Sequence, residues 1–334
     1  MQDAVVRRKA VGAMELPLVV GVDGSAPSLL AVDWAVDEAA RLGLSIRLVH
    51  AFVPECEQDA PARTGGPEPS SQRVPAEDVV PVAAARARRR DPDVKVDAEA
   101  VPGDALPVLL EESRHASALV IGVPALGDLT GLLLGSAGPA LAVRAHCPVL
   151  VVRGDDASLA GRHERVLLGA GDPDTSGEAV RFAFREAEAR GCILEIVRAW
   201  KRPARRTADR SRQAPEVARR HEAHASALLD TLLRDVVLDH PRVRVRTTTV
   251  EGSARSQLVN RSAAADLVIV GARRGRSPLG LRSDRIAQAL LHHAKCPVAV
   301  VPLPGGILMT DPSGLGPPTS SHASRRTARV RSPK

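Results

Sequence analysis

The sequence predicts an α/β protein made of two tandem units, each a doubly wound, parallel, five-stranded sheet with helices on both faces. Three observations support this class. Short apolar runs alternate with segments of helical spacing, the second half repeats the first, and each half carries an apolar run that ends in glycine before a loop and a helix. Alternating strands and helices give parallel sheets, because consecutive parallel strands need a long crossover that a helix supplies.

The repeat is visible at well-separated points of the two halves. Leu18-Val-Val-Gly21 matches Val166-Leu-Leu-Gly169 at an offset of 148 residues, and Leu119-Val-Ile-Gly122 matches Val268-Ile-Val-Gly271 at an offset of 149. Agreement at several spaced points indicates duplication of one unit. Each residue of one unit can therefore be compared with its counterpart in the other.

Periodicity and end signals define the elements of the first unit. Its first helix is predicted to end at Gly43, because glycine readily adopts the left-handed conformation that closes a helix. Pro81 interrupts the second helical segment and makes it the weakest helical pattern. In chain order, the predicted elements are strand 17–22, helix 26–42, strand 44–53, helix 76–90, strand 94–101, helix 103–115, strand 118–122, helix 135–145 and strand 149–152.

The second unit repeats this order, with a single long helix predicted at 214–239. A polar stretch of Asp, Ser and Gly separates the two units. The C-terminal residues are rich in Gly, Pro, Ser and Arg, a composition that cannot bury enough apolar surface to fold. The predicted division is a flexible N-terminus at 1–14, a first domain at 15–154, a linker at 155–162, a second domain at 163–304 and a disordered basic tail at 305–334.

The net charge of +7 does not indicate a nucleic-acid-binding face. Residues 1–14 contribute +2 of it and residues 305–334 contribute +4, so the two domains together are nearly neutral. An aromatic content of 1% also leaves no stacking surface for single strands. No apolar run reaches the ~20 residues that cross a bilayer, and no secretory signal is recognisable. We expect a cytoplasmic protein that binds neither specific nucleic acid nor membrane.

The four cysteines are expected to be small buried residues rather than reactive thiols or ligands. None of them has CxxC spacing or a nearby pair of histidines, as a metal or redox site would. The residues concerned are Cys56, Cys147, Cys192 and Cys296.

Three pieces of the first unit are expected to meet at the carboxyl ends of its strands, where open parallel sheets bind ligands. Asp23 follows the first strand, a glycine-punctuated loop begins at Gly122, and Gly135-Ser136 opens a helix. Free backbone N–H groups at a helix N-terminus attract anions, and glycine lets the backbone come close to them. Asp23 can accept hydrogen bonds from a ribose hydroxyl or an exocyclic amine. The residues therefore predict a nucleotide site.

A Gly-x-x-Gly motif, nine further residues, then Gly-Ser/Thr, with an aspartate after the first strand and a terminal Cys-Pro-Val strand, resembles the universal stress protein family. The resemblance covers both units and implies a Rossmann-like, three-layer α/β/α fold similar to that of the adenine-nucleotide α-hydrolases. In the ATP-binding branch, the loop holds phosphates and the early aspartate contacts the nucleoside. By resemblance, ATP alone or with Mg²⁺ would be bound by Gly21, Asp23, Ala51, Gly122, Val123, Ala125, Gly127, Gly135 and Ser136.

Ala125 departs from this pattern, which has glycine at that position. If the position needs a positive φ, alanine costs on the order of 1 kcal/mol there and weakens the site without abolishing it. An interpretation without a ligand also remains open, in which the loop is a tight turn and Asp23 caps the first helix.

The second unit departs further from the pattern. Gly171 stands where Asp23 would be, and the positions of the later loop motif hold Arg274, Asp284 and Arg285. A carboxylate aimed at phosphates repels them, although arginines of the loop (Arg273, Arg274 and Arg276) could pair with phosphate. We expect side chains to fill this second pocket, so that it does not bind ATP.

Other polar residues are expected to be structural or surface residues. His50 is expected to be a packed histidine, and two histidine pairs lack metal-ligand spacing. The residues assigned to the surface are His221, His224, His292, His293, the helix face of Asp33, Asp37 and Glu38, and the helix end at 86–90.

The sequence contains no nucleophile elbow, no Walker lysine and no paired carboxylates, so binding without turnover is expected. The predicted function is a stress-related ATP-binding protein whose nucleotide state biases its choice of partner or oligomer. Two alternatives are an interaction module with both sites eroded and an adenylyl-transferase-like enzyme, which the lack of a catalytic His or Lys in either loop disfavours. In the family the fifth strand mediates dimerisation, so strands 149–152 and 298–301 could pair as an intramolecular pseudo-dimer; a homodimer is the other possibility.

Overall fold

A computed structural model of the protein describes residues 16–54, 76–123, 137–171, 173–201, 214–273 and 285–303. The predicted N-terminal segment, most of the glycine loop of the first unit and the basic tail lie outside these ranges. The first half comprises β1 (Leu18–Gly21), α1 (Ala26–Leu42), β2 (Ile46–Phe52), α2 (Val79–Arg90), β3 (Val96–Pro102), α3 (Ala105–Glu112), β4 (Ala118–Gly122), α4 (Ala137–Arg144) and β5 (Val149–Val152).

The second half repeats the pattern, and a short helix lies in the segment expected to be a linker. Its elements are α5 (Asp156–Leu159), β6 (Arg165–Gly169), α6 (Pro173–Arg190), β7 (Ile193–Trp200), α7 (Ala214–Leu233), α8 (Val236–Asp239), β8 (Arg244–Glu251), α9 (Ala254–Arg261), β9 (Leu267–Arg273), α10 (Arg285–His293) and β10 (Val298–Leu303).

The ten strands form one continuous sheet in the order β3-β2-β1-β4-β5-β10-β9-β6-β7-β8. Each half is a parallel, doubly wound sheet of five strands, which confirms the predicted α/β class. The two halves join through antiparallel pairing of β5 with β10, in which Ala299 lies opposite Leu150. The pairing inside one chain satisfies two strand edges that would otherwise be exposed.

Helix α1 has the predicted bounds because its end signals are local. Ser25 caps its first turn by accepting a hydrogen bond from the Ser28 N–H at 3.3 Å. Gly43 closes it with a φ of 71°, a conformation that costs glycine little. Pro81 does not disrupt α2, because it lies in the first turn, where the backbone N–H needs no partner within the helix.

The helix predicted at 214–239 is wrong in one respect, since α7 ends at Leu233 and α8 starts at Val236. Asp235, Val236 and Val237 coincide with this break. Aspartate and β-branched residues have low helix propensity, and the apolar spacing alone did not reveal their effect.

The sheet separates two apolar cores. One packs under α1, α2, α6 and α7, and the other under α3, α4, α9 and α10, so that each core runs through both halves of the chain. Cys147, Cys192 and Cys296 are buried, as expected. Burial raises the pKa of the Cys192 and Cys296 thiols, which keeps them protonated. Among the described helices, none is long and apolar enough to span a membrane.

Two expectations about surface charge need correction. Glu38 is fully buried, because α1 packs against α6 of the other half at this point. The arginines at the end of α2 are ion-paired rather than simply solvated: Arg86 Nε donates to Asp33 Oδ1 at 2.7 Å, and Arg90 Nε donates to Asp37 Oδ1 at 2.9 Å. The two pairs have the same i,i+4 spacing on both helices.

Candidate functional site

Five of the residues expected at the site are described, and they lie at the carboxyl edge of the first half-sheet. Strand β1 pairs with β2 on one side and β4 on the other, with Gly21 opposite both Val49 and Ile121. The strand order reverses at this point, and the ends of β1, β2 and β4 therefore lie side by side. The described residues are Gly21, Asp23, Ala51, Gly122 and Val123. Ala125, Gly127, Gly135 and Ser136 lie outside the described residues.

Asp23 holds the turn between β1 and α1. Its Oδ1 accepts hydrogen bonds from the Ser25 N–H at 3.0 Å and from the Ser25 hydroxyl at 2.5 Å. Ser25, rather than Asp23, is the helix cap. Within the part of the chain that the structure describes, Oδ2 of Asp23 accepts no hydrogen bond. One oxygen thus fixes the side chain, and the other is available.

Gly122 brings the end of β4 against the first turn of α1. A Cβ added there would lie 2.0 Å from the Pro27 carbonyl oxygen, so no larger residue fits without moving the helix. The next residue, Val123, donates its N–H to the Val152 carbonyl at 3.2 Å. The loop motif suggested that Gly122 contacts phosphate. The structure gives a second reason for glycine at this position, which is the close packing of β4 against α1.

Gly21 and His50 complete the wall of the site. A Cβ on Gly21 would lie 3.1 Å from Leu109 Cδ1, so the glycine lets α3 pack closely on β1. His50 Nδ1 lies 2.8 Å from the Val22 carbonyl oxygen. His50 is therefore packed by a backbone contact, as the sequence predicted.

Ser28 is a residue of this site that the sequence analysis missed. It is fully buried, its Oγ accepts from the Asp23 N–H at 3.3 Å, and its hydroxyl donates to the Ser25 carbonyl at 2.9 Å. The repeat carried the signal, because the counterpart at an offset of 148 is also a serine, Ser176. Ser28 fixes the backbone that presents Asp23.

The equivalent place in the second half is a cavity of about 340 Å³. Its walls are the carboxyl ends of β6, β7 and β9 and the facing sides of α9 and α10. The lining residues are Gly169, Ala170, Gly171, Ser176, Val197, Arg198, Ala199, Ala254, Leu258, Val270, Gly271, Ile286 and Leu303. By the offsets of the repeat, Gly169, Gly171, Ala199 and Gly271 correspond to Gly21, Asp23, Ala51 and Gly122.

Among the described residues, side chains narrow this second pocket without filling it, whereas Arg274 and Asp284 of the expectation lie outside the described residues. Leu303 packs over Gly271, with its Cδ2 2.7 Å from where a Cβ would lie. Arg198, the counterpart of His50, donates a hydrogen bond to the Gly171 carbonyl. The second pocket has Gly171 in place of the carboxylate of Asp23 and Arg198 in place of His50, so the two sites differ in charge.

Comparison with known proteins agrees with the duplication. Residues 16–153 and 163–302 each match the model of the universal stress protein family. One universal stress protein of Mycobacterium tuberculosis is 29% identical over 294 residues, which cover 86% of this chain and 97% of that protein. Another from the same organism is 32% identical over 295 residues, which cover 85% of this chain and 96% of that protein.

Among solved structures, a universal stress protein from Archaeoglobus fulgidus DSM 4304 is similar in fold. The TM-score is 0.60 at 15% sequence identity, and the match covers 86% of this chain and 98% of that chain. At this level of identity, the similarity concerns the fold alone.

Proposed function

The chain belongs to the universal stress protein family, and on that premise we propose that its first domain binds an adenine nucleotide, ATP alone or with Mg²⁺, as a regulatory ligand. The proposal rests on one observation, that Asp23, Ala51 and Gly122 lie together at the carboxyl ends of the neighbouring strands β1, β2 and β4. In open parallel sheets this is where ligands bind.

The described side chains suit a nucleoside. Asp23 is held by Ser25 through one oxygen, and its other oxygen can accept a hydrogen bond from a ribose hydroxyl or an exocyclic amine. Gly21 and Ala51 are small, which leaves room for a flat base. The related cavity of the second domain, at about 340 Å³, falls in the size range of small-molecule sites, about 300–1,000 Å³.

The proposed role is binding rather than turnover. The sequence lacks the Gly-x-x-x-x-Gly-Lys-Ser/Thr motif that places a lysine on the phosphates of an NTPase. Nucleotide occupancy would instead bias the choice of partner or oligomer, in the cytoplasm. Because β10 already covers the edge of β5, a homodimer would have to use another surface.

Two substitutions at one residue test the nucleotide site. Asp23→Ala removes both oxygens, whereas Asp23→Asn keeps an acceptor for Ser25 and removes the negative charge. We expect the wild-type chain to bind one ATP by calorimetry and both variants to bind about tenfold more weakly or worse, since a charged hydrogen bond is worth about 1.5–3 kcal/mol. Asp230→Ala, at an exposed position of α7, serves as the control and should bind like the wild type.

The same experiments separate the alternatives. An adenine nucleotide released from the denatured wild-type protein would support the proposal. Absence of both released nucleotide and calorimetric ATP binding would favour an interaction module with eroded sites. Multiple turnover of ATP by the pure protein would favour an enzyme.

A further inference from the structure

A second concave surface lies between α9 and α10 of the second domain. Its volume is about 450 Å³, and it shares no lining residue with the cavity at the end of the sheet. Four of the six residues that line it are arginine or histidine, and none is acidic. The six are Arg255, Arg285, Gln288, Ala289, His292 and His293, and we call this surface the basic groove.

The apolar pattern of α10 directs these side chains outward. Ala287, Leu290 and Leu291 are buried against the sheet. Arg285, Gln288 and His292 recur at i, i+3 and i+7 and therefore share the other face. Both arginines and both histidines of the groove are exposed.

The first domain lacks this cluster of basic side chains. At the four positions where the second domain has two arginines and two histidines, the first has two apolar residues, a serine and one arginine. At an offset of 149, the counterparts of Arg255, Arg285, His292 and His293 are Leu106, Ser136, Val143 and Arg144. The second copy has acquired a basic groove on a scaffold that does not need one to fold.

Each of the two groove arginines lies in the first turn of its helix. Arg285 is the first residue of α10 and Arg255 the second of α9. Because α9 and α10 both cross over between parallel strands of one sheet, the two N-termini lie at the same end of the groove.

We propose that the basic groove binds a ligand with two or more phosphate groups. Two guanidinium groups at the same end of the groove can each pair with a phosphate through parallel hydrogen bonds. The histidines and Gln288 can donate further hydrogen bonds along the groove. A bound polyphosphate would neutralise the positive charge of both arginines. This site is independent of nucleotide binding in the first domain.

Calorimetric titration of the full chain with tripolyphosphate tests the proposal. The groove variant combines Arg255→Gln with Arg285→Ser, and the control combines Arg88→Gln with Arg89→Gln, two exposed arginines of α2. Both variants lose the same charge. We expect the groove variant to bind about tenfold more weakly or worse and the control to stay within about twofold of the wild type, since the contacts are directional. Any binding of tripolyphosphate by the first domain should be the same in both variants as in the wild type.

Chemical modification maps the bound anion. Tripolyphosphate should slow modification of His292 and His293 by diethyl pyrocarbonate, read by mass spectrometry, and should leave exposed His115 unaffected. The proposal is overturned if the wild type does not bind tripolyphosphate at about 50 mM salt, where phosphate contacts are weakly screened. It is also overturned if the groove variant binds as well as the wild type. Binding only to phosphatidylglycerol vesicles or only to a single-stranded oligonucleotide would replace it with a membrane or nucleic-acid surface.

Discussion

Glu38 and Glu186 occupy the same position in the two copies of the repeat, and both form ion pairs with Arg190 where α1 meets α6. Both are almost completely buried. Arg190 Nη2 donates to Glu38 Oε2 at 2.6 Å, and Arg41 Nη1 donates to the same oxygen at 2.9 Å. Glu38 Oε1 has no hydrogen-bond partner among the described residues.

Duplication has thus produced two chemically different carboxyl groups from one position. Burial and the charge of Glu38 raise the pKa of Glu186 well above its ordinary value. Burial also acts to raise the pKa of Glu38, but the positive charges of Arg190 and Arg41 outweigh burial and lower that pKa. The ionised form is therefore favoured at Glu38, and the neutral form is favoured at Glu186.

Glutamine substitutions should distinguish the two acids. Glu186→Gln is uncharged and close in shape to the neutral acid, so its free energy of unfolding at about pH 8 should equal that of the wild type or exceed it by about 1 kcal/mol. Glu38→Gln leaves Arg190 buried with less compensating charge and should cost at least about 2 kcal/mol. Urea unfolding measures both. Equal destabilisation by the two substitutions would contradict the assigned protonation states.

The raised pKa of Glu186 also predicts a pH dependence. Above the ordinary carboxyl pKa of 4.5 the folded state binds one proton more than the unfolded state at this site, so stability falls as pH rises until the folded-state pKa is passed. The slope from this one group is at most about 1.4 kcal/mol per pH unit. Glu186→Gln should remove that contribution between about pH 5 and 8.

Unfolding free energies of the wild type and Glu186→Gln, measured across that range, check the pH prediction. The wild type should lose stability relative to the variant as pH increases. Glu216→Gln, an exposed position on α7, controls for the general loss of a carboxylate and should parallel the wild type. A constant difference between wild type and Glu186→Gln would contradict the raised pKa.

A second pair of positions carries opposite charges in the two domains. Arg47 Nε donates to Glu112 Oε2 at 2.9 Å in the first domain. In the second, their counterparts are Glu195 and Arg261, which also form an ion pair. Arg47 also pairs with Asp97 on β3, whereas Glu195 lies opposite Arg246 on β8. The ion pair has been preserved while its polarity was reversed.

This reversal predicts a rescue. Arg47→Glu should destabilise the first domain by about 2 kcal/mol, because it sets a carboxylate among other carboxylates. Adding Glu112→Arg should recover part of the loss, and adding Asp97→Arg should recover more, with coupling energies of about 0.5–3 kcal/mol in a double-mutant cycle. Chemical denaturation of the series measures each step. Additive losses without recovery would show that the second domain tolerates its reversed pair for another reason.

Local signals predicted much of the fold. Ser25 and Gly43 bound α1 through contacts within a few residues, and the apolar run of β5 has no competing pattern. The pairing of β5 with β10 could be predicted, because the two strands are the equivalent last strands of the two repeats. The site residues at the ends of β1 and β4 were also predictable, since topology alone brings those ends together.

Long-range contacts account for what sequence reasoning missed. The sequence places Glu38 on the charged face of α1, with Asp33 and Asp37 nearby, and this pattern predicts exposure to solvent. The residue is buried because α6, about 150 residues later, packs on α1 at this point. Likewise, the cavity in the second domain survives because Leu303 and Leu258 pack on its walls without closing it. Neither outcome follows from spacing along a single element.

Gly122 and Gly138 make a matched pair for the last prediction, since both are near the first-domain site and differ in the space around them. A Cβ at Gly122 would lie 2.0 Å from the Pro27 carbonyl oxygen, whereas one at Gly138 would lie 3.5 Å from Ile121 Cδ1, an ordinary contact. Gly122→Ala must push β4 and α1 apart and should cost about 2–4 kcal/mol. Gly138→Ala, inside α4, should raise stability by about 0.5–1 kcal/mol, because alanine favours a helix.

Urea unfolding and calorimetry together check this pair. If the first domain binds ATP, Gly122→Ala should weaken binding along with stability, because the displaced α1 carries Ser28, which supports Asp23. Gly138→Ala should leave ATP affinity unchanged within about twofold, since its new methyl group makes only ordinary contacts. Equal stability of Gly122→Ala and the wild type would mean that the close approach of β4 to α1 is not required by the fold.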